Sequence, residues 1–147
     1  MNEATEKYWN GYWKGNPPQK NVIAGPFGFP GTPMADKLGA LVMAGKKTAT
    51  CWTYALHEQG NEPMQEAGDF YVVLDSKDEP LCIVRVTSVE VIPFKEVTPE
   101  FAAAEGEGDL SYEYWYEAHK WFFQEQGLEF SEDMRVVCER FELVDVK

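Results

Sequence analysis

The sequence predicts a small α+β domain in which helices pack against a curved sheet. The chain has 147 residues, which suits one domain with a single hydrophobic core. Two apolar segments rich in β-branched residues, 69–75 and 81–92, are separated only by a short turn, which favours antiparallel pairing. Helical patterns lie around them at residues 3–14, 33–44 and 112–126.

The first 33 residues predict a short helix and a packed loop. Aromatic side chains recur every four positions in residues 3–14, as on a helix that docks on the body by its aromatic face. Five prolines and three glycines in residues 16–33 argue against a helix or a central strand, and the phenylalanines there favour a packed loop. We therefore divide the chain into residues 1–26, a helix and loop packed on the body, and residues 27–147, the main domain.

A second helix leads into a strand. Thr32 suits the N-cap position, Pro33 suits the first helical position, and Gly45 ends the helix. The strand is predicted at residues 48–54. The polar residues 55–68 that follow predict a loop.

An acidic segment interrupts the strands. Residues 96–117 carry seven acidic side chains and no lysine or arginine. A short helix in this segment should end at Gly106, and Ser111 then caps a helix that runs to about Gln126. Residues 134–145 predict the last strand.

The charge of the chain limits its partners. Lysine and arginine total 13 against 25 acidic residues, which gives a net charge of −12. Proteins that bind long nucleic acids draw affinity from neutralised phosphates, so double-stranded DNA is not an expected partner. A short RNA or a single nucleotide is compatible if positive potential is confined to a pocket around Lys46, Lys47 and Arg85.

Cysteine usage and hydropathy predict a reduced, cytoplasmic protein. No apolar run approaches the roughly 18 residues of a membrane span, and the N-terminus lacks the pattern of a secretory signal. Three widely spaced cysteines predict buried, reduced thiols, and two histidines give little support for a His-rich metal site. We expect His119, on an aromatic helix face, to be a packed and hydrogen-bonded core residue.

Lys47 and Thr50 form the first candidate site. Residues three apart on a strand point to opposite faces, so the two side chains converge only if Lys47 lies in the turn after Gly45 and Thr50 begins the strand. A lysine near apolar surface can act as a base, hold an anion or activate a threonine hydroxyl. The alternative is that the positive charge of Lys47 only interacts favourably with the dipole at the C-terminal end of the helix, and that Thr50 is an ordinary strand residue.

The segment EGEGDLS, residues 105–111, is the second candidate. Carboxylates on a glycine-rich backbone can supply a general base or hold a divalent cation, and N–H groups leading into the helix at Ser111 can bind an anion. The alternative is a solvated acidic loop with an ordinary helix cap. The ligand order of an EF-hand is absent from this segment.

Together these segments resemble the ASCH domain. The resemblance rests on AGKKTAT within Ala35–Thr50, the turn at Gly68-Asp69, EGEGDLSYEYW and the closing VVCERFELV. It covers roughly residues 27–145, and the N-terminal helix and Phe27-Gly28 loop resemble the longer bacterial members. It implies a PUA-like fold, a small β-barrel of mostly antiparallel strands with flanking helices.

The resemblance also implies roles for individual residues. The family's lysine and threonine fall on Lys47 and Thr50, and the catalytic carboxylate falls on Glu105, with Glu107 as the alternative. Many members carry an arginine where this chain has Trp52, which offers a stacking surface instead. The residues expected to bind substrate are Phe27, Gly28, Trp52, Glu107, Asp109, Ser111 and Trp115.

The resemblance implies three alternative functions. We expect first a hydrolase with an RNA- or nucleotide-directed pocket, a ribonuclease on single-stranded RNA, in which Lys47 stabilises negative charge and Glu105 is the general base. This function would use a divalent cation such as magnesium. The second is an amidohydrolase of an acylated cytidine nucleoside, without a cofactor. The third is an RNA-binding module that catalyses nothing.

Overall fold

The computed structural model describes residues 1–58 and 64–147. The helices are α1 (Glu3–Tyr12), α2 (Pro33–Met43), α3 (Ala55–Glu58), α4 (Pro99–Ala104) and α5 (Tyr112–Glu125), with a 3₁₀ turn at Phe94–Glu96. The strands are β1 (Val22–Gly25), β2 (Ala49–Thr53), β3 (Phe70–Leu74), β4 (Pro80–Pro93) and β5 (Arg135–Val146).

All five strands form one sheet in the order β1-β3-β4-β5-β2. Its β1–β3 pair is parallel, and the other three pairs are antiparallel. The predicted α+β class, with mostly antiparallel strands, flanking helices and an N-terminal helix, is confirmed. Within the described residues β1 and β2 remain the two edges, so the barrel-like sheet is not closed by hydrogen bonds between them.

Strand β1 was not predicted. It lies at Val22–Gly25 in the proline-rich stretch and pairs with β3 on one side only. A strand next to prolines is tolerated at the edge of a sheet, because an edge strand forms backbone hydrogen bonds with a neighbouring strand on one side only. The stretch therefore contains a strand but not a central one, as its composition requires.

Helix α1 docks on the sheet through an aromatic cluster. Trp9 is 4% exposed and contacts Trp13 and Phe70, with ring centroids 5.7 and 5.4 Å away. Beside it the Tyr8 hydroxyl donates to the Asp145 carboxylate at 2.8 Å. These contacts attach α1 to β3 and β5, on a part of the molecule outside the site described below. The division of the chain at residue 26 stays a prediction.

Other predictions concern loops, thiols and hydropathy. The segment predicted as a polar loop, 55–68, opens with α3, and its residues 59–63 lie outside the described part of the chain. The predicted free, buried thiols are confirmed at Cys51, Cys82 and Cys138. In residues 1–58 and 64–147, no helix combines the length and the apolar character that crossing a membrane requires.

Glu139 on β5 is a buried carboxylate with an unsatisfied oxygen. The residue is 3% exposed, and its Oε1 has no hydrogen-bond partner among the described residues. Burial, with a smaller contribution from Asp69, raises its pKa from 4.5 to about 7. Because the unfolded chain releases this proton at lower pH than the folded one, Glu139 makes the folded state progressively less stable as pH rises from 4.5 to about 7.

Glu139→Gln should therefore stabilise the protein above neutral pH. At about 1.4 kcal/mol for each pKa unit, we expect its unfolding free energy relative to wild type to rise by roughly 2–3 kcal/mol between pH 5 and pH 8. Urea unfolding at both pH values measures this difference, with Glu142→Gln, an exposed carboxylate on the same strand, as the control. A difference that does not change with pH would contradict the buried-proton interpretation.

Candidate functional site

A cleft of about 860 Å³ lies between the edge of β2, the loop before α2, and α5. It is lined by nine of the ten residues that the sequence predicted for the site: Phe27, Gly28, Lys47, Thr50, Trp52, Glu105, Glu107, Asp109 and Ser111. The tenth, Trp115, lies behind the cleft wall in the core. The structure thus brings the predicted residues together, and their functions stay predictions.

Lys47 lies between α2 and β2, where the sequence places it, and it is 2% exposed. Its ammonium donates to the backbone carbonyl of Ala49 at 2.9 Å and to Glu105 Oε1 at 3.1 Å. Two further contacts of the ammonium are longer, 3.4 Å to Glu107 Oε2 and 3.5 Å to the Glu105 carbonyl. All four partners are acceptors, so the site is built around a lysine that carries its proton.

Glu105 caps the C-terminal end of α4 and is 1% exposed. Its Oε1 accepts from Lys47, and its Oε2 accepts from the Trp115 indole N–H and from His119 Nε2, the latter at 3.1 Å. Burial raises the pKa of this carboxyl, but the charges of His119 and Lys47 and the hydrogen bonds outweigh burial and lower the pKa to about 2. Glu105 is therefore a fixed anion and a weak base.

His119 on α5 completes the buried cluster. Its Nδ1 lies 2.9 Å from the Trp115 carbonyl oxygen and its Nε2 lies 3.1 Å from Glu105 Oε2. Both partners accept hydrogen bonds, so both ring nitrogens carry protons and the ring is an imidazolium. Burial lowers the pKa of His119, but the Glu105 carboxylate raises it more, and the net shift is upward. We call Lys47, Glu105 and His119 the buried charge cluster.

His119 is a charged residue of the cleft lining that the sequence did not predict for the site. The expectation of a packed, hydrogen-bonded histidine is correct, since the residue is 8% exposed and stacks on Trp115 with ring centroids 4.4 Å apart. It also lines the cleft. The sequence feature that could have predicted His119 is its spacing from Trp115, the last residue of the EGEGDLSYEYW segment. His119 lies one helical turn after Trp115 and therefore on the same face of the helix.

Trp115 is placed differently from the prediction. It was expected to bind substrate, but it is 3% exposed, stacks on Phe94 with ring centroids 4.9 Å apart, and does not line the cleft. Its indole N–H instead holds Glu105. Trp115 therefore positions the carboxylate from the core side.

The turn after Glu105 packs closely against the backbone of the segment that carries Lys47. Gly106 has a φ of +73°, and a Cβ atom there would lie 2.3 Å from the backbone oxygen of Lys46. Next to this contact the Thr48 N–H donates to the Ala104 carbonyl at 2.8 Å. These backbone contacts fix Glu105 against Lys47 across a long separation in the chain.

Gly106→Ala should disrupt the site from the backbone. The new methyl group meets a carbonyl that cannot rotate away, and φ lies in the left-handed region, so we expect a loss of at least about 2–3 kcal/mol in unfolding free energy. Gly127→Ala is the matched control because Gly127 has a φ of +80° with nothing within 4 Å of the added atom. Urea unfolding compares the two. Equal losses would show that the contact with Lys46 is not rigid.

The remaining cleft residues offer groups to a ligand. Thr50 is 8% exposed, and its hydroxyl makes no hydrogen bond within the described part of the chain. The Trp52 indole N–H also has no partner among those residues, but it is buried, so the ring and not the N–H is what Trp52 presents to the cleft. The Glu107 side chain is 25% exposed and has only its long contact to Lys47. Glu107 is therefore the more accessible of the two carboxylates near the lysine.

The cleft is acidic, which corrects the expected distribution of charge. Among the described residues that line it, the cations are Lys47 and His119, and both face Glu105. The predicted contribution of Lys46 and Arg85 is wrong, since neither lines the cleft and Arg85 pairs with Glu142. The further acidic side chains of the lining are Glu107, Asp109, Glu113 and Glu117.

These acidic residues do not fit a divalent-cation site. Both oxygens of Glu105 are occupied by donors from Lys47, Trp115 and His119. In the described residues, no three His, Cys, Asp or Glu side chains are grouped as metal ligands.

Comparison with known proteins identifies the family. The family model of the ASCH domain matches residues 26–145. The crystal structure of an ASCH domain from Lactobacillus crispatus JV V101 superposes with a TM-score of 0.87 at 32% identity, over 97% of this chain and 95% of that one. A crystal structure of a protein from Enterococcus faecalis V583 gives a TM-score of 0.85 at 36% identity, over 100% and 96% of the two chains.

A more distant structure shares the fold alone. The ASCH protein from Zymomonas mobilis superposes with a TM-score of 0.52 at 10% identity, over 86% of this chain and 67% of that one. No curated protein matches this chain significantly. The family match and the two structures above 30% identity agree over nearly the whole chain, and the chain belongs to the ASCH domain family.

Proposed function

We propose that this protein hydrolyses the amide bond of a small, uncharged nucleoside, an acylated cytidine. The observation that carries the proposal is the buried charge cluster at the base of an acidic cleft. The cluster supplies a positioned ammonium for an oxyanion, and the acidic lining favours a neutral ligand over a polyanion. Amide hydrolysis is one of the activities that resemblance to the ASCH domain implied.

Lys47 is the group that stabilises the transition state. Two of its three N–H bonds are held at 2.9 and 3.1 Å by Ala49 and Glu105. Its contacts with Glu107 and the Glu105 carbonyl are longer, 3.4 and 3.5 Å, and these are the contacts that a ligand oxygen would replace. A charged donor held in a dry site gains most when its acceptor becomes an oxyanion.

Glu107 is the general base of the proposed reaction. Glu105 is unsuited to that role because three donors and two cations hold its pKa at about 2. Glu107 is partly exposed and loses its contact with Lys47 when that ammonium turns to the substrate. It then takes a proton from water as the water oxygen bonds to the acyl carbon. The negative charge moves onto the acyl oxygen, beside Lys47.

The tetrahedral intermediate then collapses with the same groups. The C–N bond breaks, Glu107 returns its proton to the leaving amino nitrogen, and the products are a carboxylic acid and cytidine. Thr50 orients the attacking water, because no base within the described residues contacts its hydroxyl to make it a nucleophile. Glu105 is a positioning residue that holds the Lys47 side chain in place and favours the charged form of His119.

Cleavage of single-stranded RNA is the less favoured alternative. RNA binding gains affinity when lysines and arginines neutralise phosphates. Here the described lining offers one lysine and one histidine, both paired with Glu105, beside four further acidic side chains. This balance opposes a phosphate backbone in the cleft and leaves a neutral base and sugar as the better match.

A direct activity comparison tests the proposal. The protein is incubated with acylated cytidine and, separately, with a single-stranded RNA, each with and without magnesium, and products are separated by chromatography. We expect cytidine and free carboxylic acid in equal amounts, without dependence on magnesium, and intact RNA. Cleaved RNA with intact amide would overturn the proposal in favour of a ribonuclease. Saturable binding with no product would favour a binding module.

A further inference from the structure

Strand β2 (Ala49–Thr53) has an open edge that faces the cleft. It is the last strand of the sheet, and within the described residues it pairs only with β5. Along an antiparallel pair, residues alternate between those that exchange N–H···O bonds with the partner strand and those whose backbone groups point the other way. The bonds at the two ends of β2 determine which residues point outward.

The alternation assigns Cys51 to the outward set. Just before β2, the Thr48 carbonyl accepts from the Phe141 N–H at 3.0 Å, and just after it, the Tyr54 N–H donates to the Arg135 carbonyl at 3.1 Å. Residues at an even spacing from Thr48 and Tyr54 also point their backbone N–H and C=O groups toward β5. The backbone groups of Thr50 and Trp52 are therefore hydrogen-bonded to β5. The residues whose N–H and C=O point off the sheet are Ala49, Cys51 and Thr53.

Two independent contacts agree with this assignment. The Ala49 carbonyl accepts from Lys47 Nζ at 2.9 Å, which requires that it point away from β5. The Cys51 side chain packs in the same buried cluster as that of Cys138, its partner in the register. Side chains approach most closely at pairs that do not exchange backbone bonds. Cys51 therefore directs its thiol into the core and its peptide groups into the cleft, whose lining includes it.

We propose that the backbone N–H and C=O of Cys51 bind the hydrogen-bonding edge of the ligand's base. The inference deepens the proposed function and rests on it for the identity of the ligand. A cytosine ring presents a ring nitrogen acceptor beside an amino donor, and a free strand edge offers the matching donor and acceptor. Lys47 is bonded to the same edge two residues earlier, at Ala49.

Proline substitution tests the contact because it removes a backbone N–H. Proline is tolerated on an edge strand where the N–H points away from the sheet, and it breaks the ladder where the N–H is paired. Cys51→Pro should therefore fold, whereas Trp52→Pro should lose the β2–β5 pairing. Cys51→Ala keeps the N–H and controls for loss of the thiol. Circular dichroism and thermal unfolding measure the fold, and calorimetry measures the binding of cytidine.

We expect Cys51→Pro to bind cytidine at least about tenfold more weakly than wild type, and Cys51→Ala to bind within about threefold of wild type. The proposal is overturned if Cys51→Pro binds as Cys51→Ala does, or if it unfolds as Trp52→Pro does, since the N–H would then belong to the ladder. Failure of wild type to bind cytidine overturns it as well.

An analogue of cytidine that carries a carbon in place of the ring nitrogen acceptor gives a second measurement on the wild-type protein. We expect it to bind at least about tenfold more weakly than cytidine, because the Cys51 N–H loses its acceptor. Equal binding overturns the contact. Both measurements use the reaction product, so they separate the two proposals. If cytidine binding depends on Cys51 but the protein does not hydrolyse the amide, the proposed hydrolysis is overturned and the Cys51 contact stands. If the protein hydrolyses the amide and Cys51→Pro leaves the turnover unchanged, the Cys51 contact is overturned and the hydrolysis stands.

Discussion

Lys47→Met should abolish most of the amide-hydrolysing activity, with a fall in kcat/KM of roughly 10²–10³-fold. Methionine fills a similar volume without the ammonium, so the oxyanion loses its charged donor while the surrounding packing is retained. Steady-state kinetics on acylated cytidine measures the effect. Lys46→Met is the matched control, because Lys46 is the adjacent lysine, is exposed and does not line the cleft.

The same substitution should also lower the unfolding free energy by about 3 kcal/mol, since it leaves a buried carboxylate with one fewer cation. Glu105 keeps His119 and Trp115 as donors, which limits the loss. Circular dichroism at the assay temperature establishes that the variant is folded when its activity is measured. A folded Lys47→Met protein with kcat/KM near that of wild type would exclude Lys47 from the reaction.

Glu105→Gln should cost more stability than any single change on the cleft rim, about 3–5 kcal/mol in unfolding free energy. Glutamine keeps the size of the side chain but leaves Lys47 and His119 as two buried cations without their shared anion. Urea unfolding measures the loss. Glu113→Gln, a carboxylate on the rim of the same cleft, is the control and should change stability by less than about 0.5 kcal/mol.

The Glu105→Gln substitution should also change the pKa of His119. The Glu105 carboxylate raises the pKa of His119 against the effect of burial. In wild type this charged pairing stabilises the folded state at low pH and is lost as pH rises through the raised pKa of the imidazole. In Glu105→Gln burial acts without the carboxylate, so the pKa of His119 should fall. Titration of the His119 ring protons by NMR measures this shift, and an unchanged pKa would contradict the pairing.

Much of the Lys47 side of the site could be predicted because local rules determine it. Gly45 ends α2, Lys47 follows in the connecting segment, and Thr50 lies in β2. A helix stop and a strand start are short-range features that a sequence states directly. The second half, Glu105 within a glycine-interrupted acidic segment, came from the spacing shared with the ASCH domain.

The roles within the cluster could not be predicted, because they depend on contacts between distant segments. Glu105 looked like a free base in an acidic loop, yet it is buried under Lys47, Trp115 and His119. The direction in which Trp115 points is decided by its packing on Phe94, a residue in the 3₁₀ turn after β4. The acidity of the cleft likewise appears only when α5 brings Glu113 and Glu117 beside the acidic loop.

The central claim is that the buried charge cluster acts on an amide and that the acidic cleft selects a neutral ligand. The measurement that tests it most directly is the kcat/KM of wild type for acylated cytidine beside its 5′-monophosphate at low ionic strength. We predict turnover of both amides with a preference for the uncharged nucleoside, and a preference that shrinks as added salt screens the acidic side chains. A preference for the phosphorylated form, or no turnover of either amide, would contradict the claim.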